Sequence, residues 1–150
     1  MFKIKVDDLI HKYPDGTQAL SGANIDVKEG EFLAILGANG SGKTTLLKHF
    51  NGLLKPASGS VTLDNKALSE FKSGEVFRKV GMVFQDPSDQ LIAPTVEEDV
   101  AFGPTNLGLN YDETMSRVNT ALELVKMKEF AKKAIHALSY GQSKRICIAG

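Results

Sequence analysis

The run GANGSGKTT sets Gly37, Gly42, Lys43 and Thr44 in the spacing G-x-x-x-x-G-K-[ST], with Asn39, Gly40 and Ser41 inside it and Thr45 after it. Those residue types in that order suit one chemistry, the grip on a polyphosphate. Glycines let the backbone curl until several N–H groups face one point, where phosphate oxygens can sit. Lys43 adds a full positive charge for the β and γ phosphates. The Thr44 hydroxyl is a hard oxygen ligand suited to Mg²⁺. A glycine-rich turn can also join a strand to a helix and bind nothing, so the flanks decide the reading.

The flanks agree with the phosphate reading. FLAIL, residues 32–36, is a continuous apolar run, as in a strand covered on both faces. KTTLLKHFN, residues 43–51, predicts a short helix that Gly52 ends. A helix opening directly behind the loop adds its own partial positive charge to the phosphate site.

Other elements follow from period and punctuation. Phe2, Ile4 and Val6 alternate with Lys3, Lys5 and Asp7, which predicts a half-exposed strand, and YPDGT predicts a turn. Ile25 and Val27 alternate with Asn24, Asp26 and Lys28, predicting a second exposed strand. SVTLD and VGMVF are further strand candidates. From about Pro94 the chain turns helical, and Met115, Val118, Leu122 and Val125 fall on one helix face. The order predicts an α/β fold with a small antiparallel sheet in front and a helical region behind.

Two later stretches carry further chemistry. In VFQDP an apolar strand candidate ends at Gln85, an amide that can accept through its carbonyl and donate through its NH₂. In LSYGQ, Ser139 stands where a helix begins, followed by Gly141 and Gln142. A serine there is an ordinary N-cap, and the same position also presents free N–H groups to an anion.

With GANGSGKTT, the stretch VFQDPSDQLIAPTVEEDVAFGPTNLGL and the opening LSYGQ, the whole chain resembles the ATP-binding cassette of an ABC transporter. More narrowly it resembles the ATPase subunit of energy-coupling-factor importers, the branch that includes cobalt and nickel uptake. The resemblance implies a P-loop NTPase fold of ABC type: an N-terminal antiparallel β subdomain, a parallel core sheet, incomplete here, and a helical subdomain. It implies boundaries of about 1–87 for the β subdomain and phosphate-loop core, about 88–138 for the helical subdomain, and 139–150 for the start of the signature helix.

The same resemblance implies roles. Tyr13 matches the aromatic that stacks on adenine. Gly37 and Asn39 to Thr45 match the phosphate loop for ATP. Thr44 and Gln85 match the Mg²⁺ contacts, and Gln85 and Lys43 the catalytic groups present. Ser139, Gly141 and Gln142 match the signature, with Tyr140 in place of its usual first glycine. Two cassettes would pack head to tail, each ATP lying between one phosphate loop and the other chain's signature helix.

From Val80 to Ser116 there is no Lys or Arg, while Asp86, Asp89, Glu97, Glu98, Asp99, Asp112 and Glu113 all lie there. Asp112 and Glu113 suit a helix start. Asp86, Asp89, Glu97, Glu98 and Asp99 flank the Gln85 segment, where the resemblance implies docking of a transmembrane coupling subunit. Arginines on that subunit would meet them. Reversing Glu97 and Glu98 is expected to lower recovery of the complex.

Composition bounds the alternatives. The 150 residues hold 18 Lys+Arg and 18 Asp+Glu, so no global charge draws the chain to nucleic acid. Cys147 stands alone, which leaves no internal disulfide framework. Spaced near Lys144 and Arg145, it reads as an apolar helix residue rather than a reactive thiol. His11, His49 and His136 have no metal spacing. No signal peptide or membrane span is expected, which with the resemblance implies the cytoplasmic face of a membrane.

After the signature the family places an apolar strand ending in Asp-Glu, and these 150 residues contain none there. The expectation is an N-terminal portion, truncated after the signature, inactive in hydrolysis and poorly soluble by itself. A truncated or regulatory ATP-binding module without hydrolysis is the alternative. An ABC ATPase of repair or translation is a third reading, which the acidic stretch disfavours.

Overall fold

Alternation in the first segment becomes strand β1 (Phe2–Lys12), interrupted by a bulge between Val6 and Leu9. At the bulge Asp8 takes φ 45° and its N–H donates to Asn24 Oδ1 at 2.9 Å. The extra residue resets the period, so Val6, Leu9 and His11 are all buried. The structure, a computed structural model, describes residues 2–72 and 74–150 and only the backbone of Phe2. The inward position expected of the Phe2 side chain therefore lies outside the described residues.

The described residues form two compact units, Met1–Met82 and Val83–Gly150. In the first, β2 (Gln18–Lys28), β3 (Ser58–Leu63) and the short β4 (Lys66–Ala67) join β1 in an antiparallel sheet of order β2-β1-β3-β4. Register runs from Phe2↔Lys28 to Lys12↔Gln18 on one side of β1. On the other side it runs from Ile4↔Leu63 to Ile10↔Ser58. Helix α1 (Lys43–Phe50) buries Leu46 and Phe50 with Val6, Leu9, Leu20 and Val61 of the sheet. Each such side chain contributes about 1.5–3 kcal/mol on burial.

Residues 32–36 and 80–84, expected as strands, form no ladder with any described residue. Phe32 is 97% exposed and Leu36 90%, where the sequence predicts cover on both faces. The reason is pairing. A central parallel strand needs a neighbour on each edge for its N–H and C=O groups. The four strands of this sheet pair only with one another. Of the run, Ile35 is packed in part against the first core.

The second unit is helical. Helix α2 (Val96–Asn106) begins with Glu98 accepting from the Thr95 N–H at 3.1 Å and from its hydroxyl at 2.8 Å. The N–H groups of Val96 and Glu97 donate to Lys133 O and Ala131 O, so a later loop closes this helix end. Helix α3 (Tyr111–Leu124) is capped by Asn110, whose Oδ1 accepts from the Glu113 N–H. Its inner face holds Val118 and Leu122 as expected, with Met115 half-buried. Helix α4 (Tyr140–Ala149) adds Ile146 to Val96, Val100, Val118, Leu122 and Met127 in the second core.

Candidate functional site

The phosphate loop ends where Gly42 turns into α1 with φ 88°. A Cβ on Gly42 would stand 2.5 Å from Ala19 O, and one on Gly37 would stand 2.8 Å from Ser41 Oγ. A side chain at Gly37 would crowd the inside of the loop, and one at Gly42 would strike the main chain of β2, so both positions are closed to larger residues. Lys43 Nζ folds over the loop, donating to Gly37 O at 2.9 Å and Ala38 O at 2.6 Å. Its third contact is a long one, to Ser41 Oγ at 3.5 Å, the weakest of the three and the first an incoming anion would replace.

The helix behind the loop has no side-chain cap and no acidic residue in its first turn. Its first N–H groups thus meet no competing carboxylate, which suits an anion. Thr44 is exposed on that turn, where its hydroxyl can ligate a hard cation. Among the described residues no cluster of three or more His, Cys, Asp or Glu could hold a metal. Asn39, Gly40 and Ser41 are exposed.

Tyr13 leaves β1 half-buried, and its hydroxyl lies 2.9 Å from Thr45 Oγ1. Its ring stands edge-on to His11, with centroids 4.8 Å apart. His11 meets His49 in the same way, also at 4.8 Å. His49 Nδ1 donates to Thr45 O at 2.7 Å, and burial pushes its pKa down.

In the second unit Gln85 is exposed, just before the turn that Asp86 opens. Asp86 Oδ1 accepts from the Ser88 N–H and hydroxyl, and those two bonds hold its carboxyl below the usual range. Ser139 caps α4: its Oγ accepts from the Gln142 N–H at 3.3 Å, and Gln142 Oε1 accepts from the Ser139 N–H at 2.9 Å. The cap and the signature are thus compatible, because the Ser139 O–H remains a donor. Gly141 has open space where a Cβ would stand.

The sequence pattern that defines ABC transporters matches residues 20–150. The chain belongs to the ABC transporter family. It is similar to the energy-coupling factor transporter ATP-binding protein EcfA of Methanosphaera stadtmanae, 50% identical over 98% of this chain and 54% of that protein. EcfA of Methanocaldococcus jannaschii is 51% identical over 100% of this chain and 54% of its own length. The chain spans about half the length of these curated relatives.

Two solved structures give the same picture. A Clostridium perfringens protein, part of the ABC transporter complex cbiONQ, is 45% identical with a TM-score of 0.83, over 99% of this chain and 60% of that one. A dimeric ATP-binding cassette in a post-hydrolysis state, bound to ADP and Pi, is 30% identical with a TM-score of 0.83, over 97% of this chain and 67% of that one. The ABC-type α/β fold read from the sequence agrees with both.

In this ABC transporter chain the acidic stretch is less bare than its sequence. Glu97 is paired with Lys132, and the Glu98 carboxylate is committed to Thr95. Asp99 is buried and accepts from the N–H groups of Ile92 and Ala93 at 2.8 and 3.0 Å. A count along the sequence misses these partners, because Lys132 lies 35 positions from Glu97 and the other partners are hydroxyl and backbone groups. Asp86 and Asp89 are exposed.

Cys147 is buried and burial pushes its thiol up, which fits the apolar reading. Sequence reasoning missed the His11–His49 pair, which depends on the bulge in β1. It also missed Gln90 and Lys144, whose partners are backbone groups far along the chain. Among the described residues no helix is long and apolar enough to cross a membrane.

Proposed function

We propose that this chain is the nucleotide-binding part of an ATP-driven importer subunit of the energy-coupling-factor type. One observation carries the reading: the loop from Gly37 to Gly42, with Lys43 folded over it and an uncapped helix behind. Gly37, Asn39, Gly40, Ser41, Gly42, Lys43, Thr44 and Thr45 hold the phosphates of ATP through N–H groups and one ammonium. Thr44 and Gln85 would hold Mg²⁺, which when bound would neutralise charge on the transferring phosphate. The Tyr13 ring supports adenine, and Gln85 orients the attacking water through its amide.

Ser139, Gly141 and Gln142 serve the ATP of a second cassette packed head to tail, identical or paralogous. ATP binding then favours the closed pair, a ligand-driven population shift. Both similar EcfA proteins are named as transporter components, which supports a transmembrane coupling subunit as the other partner and the cytoplasmic membrane face as the location. Of the acids expected to make that contact, Asp86, Asp89 and Glu98 are exposed, Glu97 is half-buried and Asp99 is buried. The imported solute, a metal ion such as cobalt or nickel or else a vitamin, is chosen by other subunits. ATP hydrolysis by the assembled pair then reopens it and resets the importer.

The test is MgATP titration of the complete natural protein with Lys43→Ala and Ser139→Ala. Lys43→Ala is expected to weaken MgATP about 100-fold or more, since it removes a charge-assisted contact. Ser139→Ala is expected to keep that affinity and lose ATP-driven pairing of cassettes. Unchanged MgATP affinity in Lys43→Ala would end the proposal.

A further inference from the structure

The segment that carries Gln85 is fastened to α4 by side chains. Tyr140 Oη donates to Gln85 O at 2.9 Å. Lys144 Nζ donates to Phe84 O at 2.5 Å. Gln90 spans both partners, its Nε2 donating to Cys147 O at 2.9 Å while its Oε1 accepts from the Phe84 N–H at 3.0 Å. Both main-chain groups of Phe84 and the carbonyl of Gln85 are therefore engaged. Two of the three partners sit on α4, and the third is bonded to it.

Tyr140 and Lys144 are four residues apart, one helical turn, so they present one face to this segment. Lys144 Nζ also stands 5.8 Å from the Tyr140 ring centroid. Tyr140 is 64% exposed, so its bond to Gln85 lies at the surface and adds little to global stability. What the bond does is local: it fixes the peptide that bears the Gln85 side chain. Ser139, immediately before Tyr140, is held rigidly by its own reciprocal cap with Gln142. A glycine at position 140 has no group that could reach Gln85.

We infer that Tyr140 is a positioning residue that ties the main chain of Gln85 to the first turn of α4, so that Gln85 and Ser139 move as one body. The inference rests on the proposed reading of both as ATP-serving residues. Under that reading Gln85 serves the ATP of its own chain and Ser139 that of the second cassette. Tyr140 then links the two sites, and a γ-phosphate met at Ser139 is felt at Gln85.

The test is a double-mutant cycle in the complete natural protein assembled with its second cassette, using Tyr140→Phe, Gln85→Ala and the pair. Tyr140→Phe removes one oxygen and keeps the ring beside Lys144. It is expected to leave the melting temperature and KM for ATP unchanged and to lower kcat about fivefold, the effect of one lost hydrogen bond. On the Gln85→Ala background the same change is expected to have no further effect, because its action passes through Gln85. An unchanged kcat in Tyr140→Phe, or independent additive losses, overturns the inference while Gln85→Ala still lowers kcat. If Gln85→Ala leaves kcat intact, the reading of Gln85 itself falls, and the inference with it.

Discussion

The hydroxyls of Tyr13 and Thr45 lie 2.9 Å apart, joining the exit of β1 to the first turn of α1. Thr45 adjoins Thr44, the proposed magnesium ligand, so the bond fixes the Tyr13 ring relative to the phosphate loop. The ring has its other support in His11, edge-on at 4.8 Å. A tyrosine held at both its hydroxyl and its ring has little ordering left to do on binding, which suits the proposed stacking on a base.

Two substitutions separate the hydroxyl from the ring. Tyr13→Phe keeps the face and loses the bond, so stability is expected to fall by about 0.5–1.5 kcal/mol with ATP affinity nearly unchanged. Tyr13→Ala removes the face, and base–aromatic stacking is worth about 1–3 kcal/mol. ATP affinity is then expected to fall by about five- to 150-fold. Titration with a fluorescent ATP analogue measures both, and equal affinities for the two variants would remove the stacking role.

Asp99 invites a second comparison. The sequence suggests a solvated acid ready for a partner, but the carboxylate is buried and holds the N–H groups of Ile92 and Ala93. Asp99→Ala leaves both donors unpaired, at about 1–3 kcal/mol each when buried. Asp99→Asn keeps one acceptor oxygen, and Oδ1 alone accepts both bonds here, so its loss is expected to be clearly smaller. Denaturant unfolding ranks the variants, and amide exchange at Ile92 and Ala93 localises the effect. Equal stability of the Ala variant and the natural protein would return Asp99 to the docking surface.

What the sequence made legible was local. The glycine spacing, the apolar stripe of α3 and the serine that opens α4 are all set by residues within a turn or two of each other. They recur in the structure near their expected places. The strand reading at 32–36 failed because a ladder depends on neighbours rather than on the run itself. The partners within the acidic stretch were hidden for a related reason: Lys132 lies 35 positions from Glu97, and only the folded chain brings the two together. Tyr140 was legible as a departure from the usual motif, but its bond to Gln85 crosses 55 positions and no period announces it.

His49 gives a prediction in pH. It is fully buried, its Nδ1 is bonded to Thr45 O, and its Nε2 has no partner among the described residues. His11 from β1 faces it, and the Lys55 carbonyl lies on the same cluster. Burial first, and the neighbouring His11 after it, lower its pKa from the usual 6.5. As pH falls below 6.5 the unfolded chain takes up a proton that the folded chain refuses, so stability falls with it. The loss continues to the lower folded pKa and then stops, with a slope of at most about 1.4 kcal/mol per pH unit for one site. The depressed carboxyls Asp15, Asp64 and Asp86 act in the same direction, but only as pH nears and passes below 3.8. Urea unfolding at steps from pH 7 to about 5 therefore isolates the histidine. His49→Gln is expected to flatten the curve in that window, and a curve that keeps the natural slope would place the proton elsewhere.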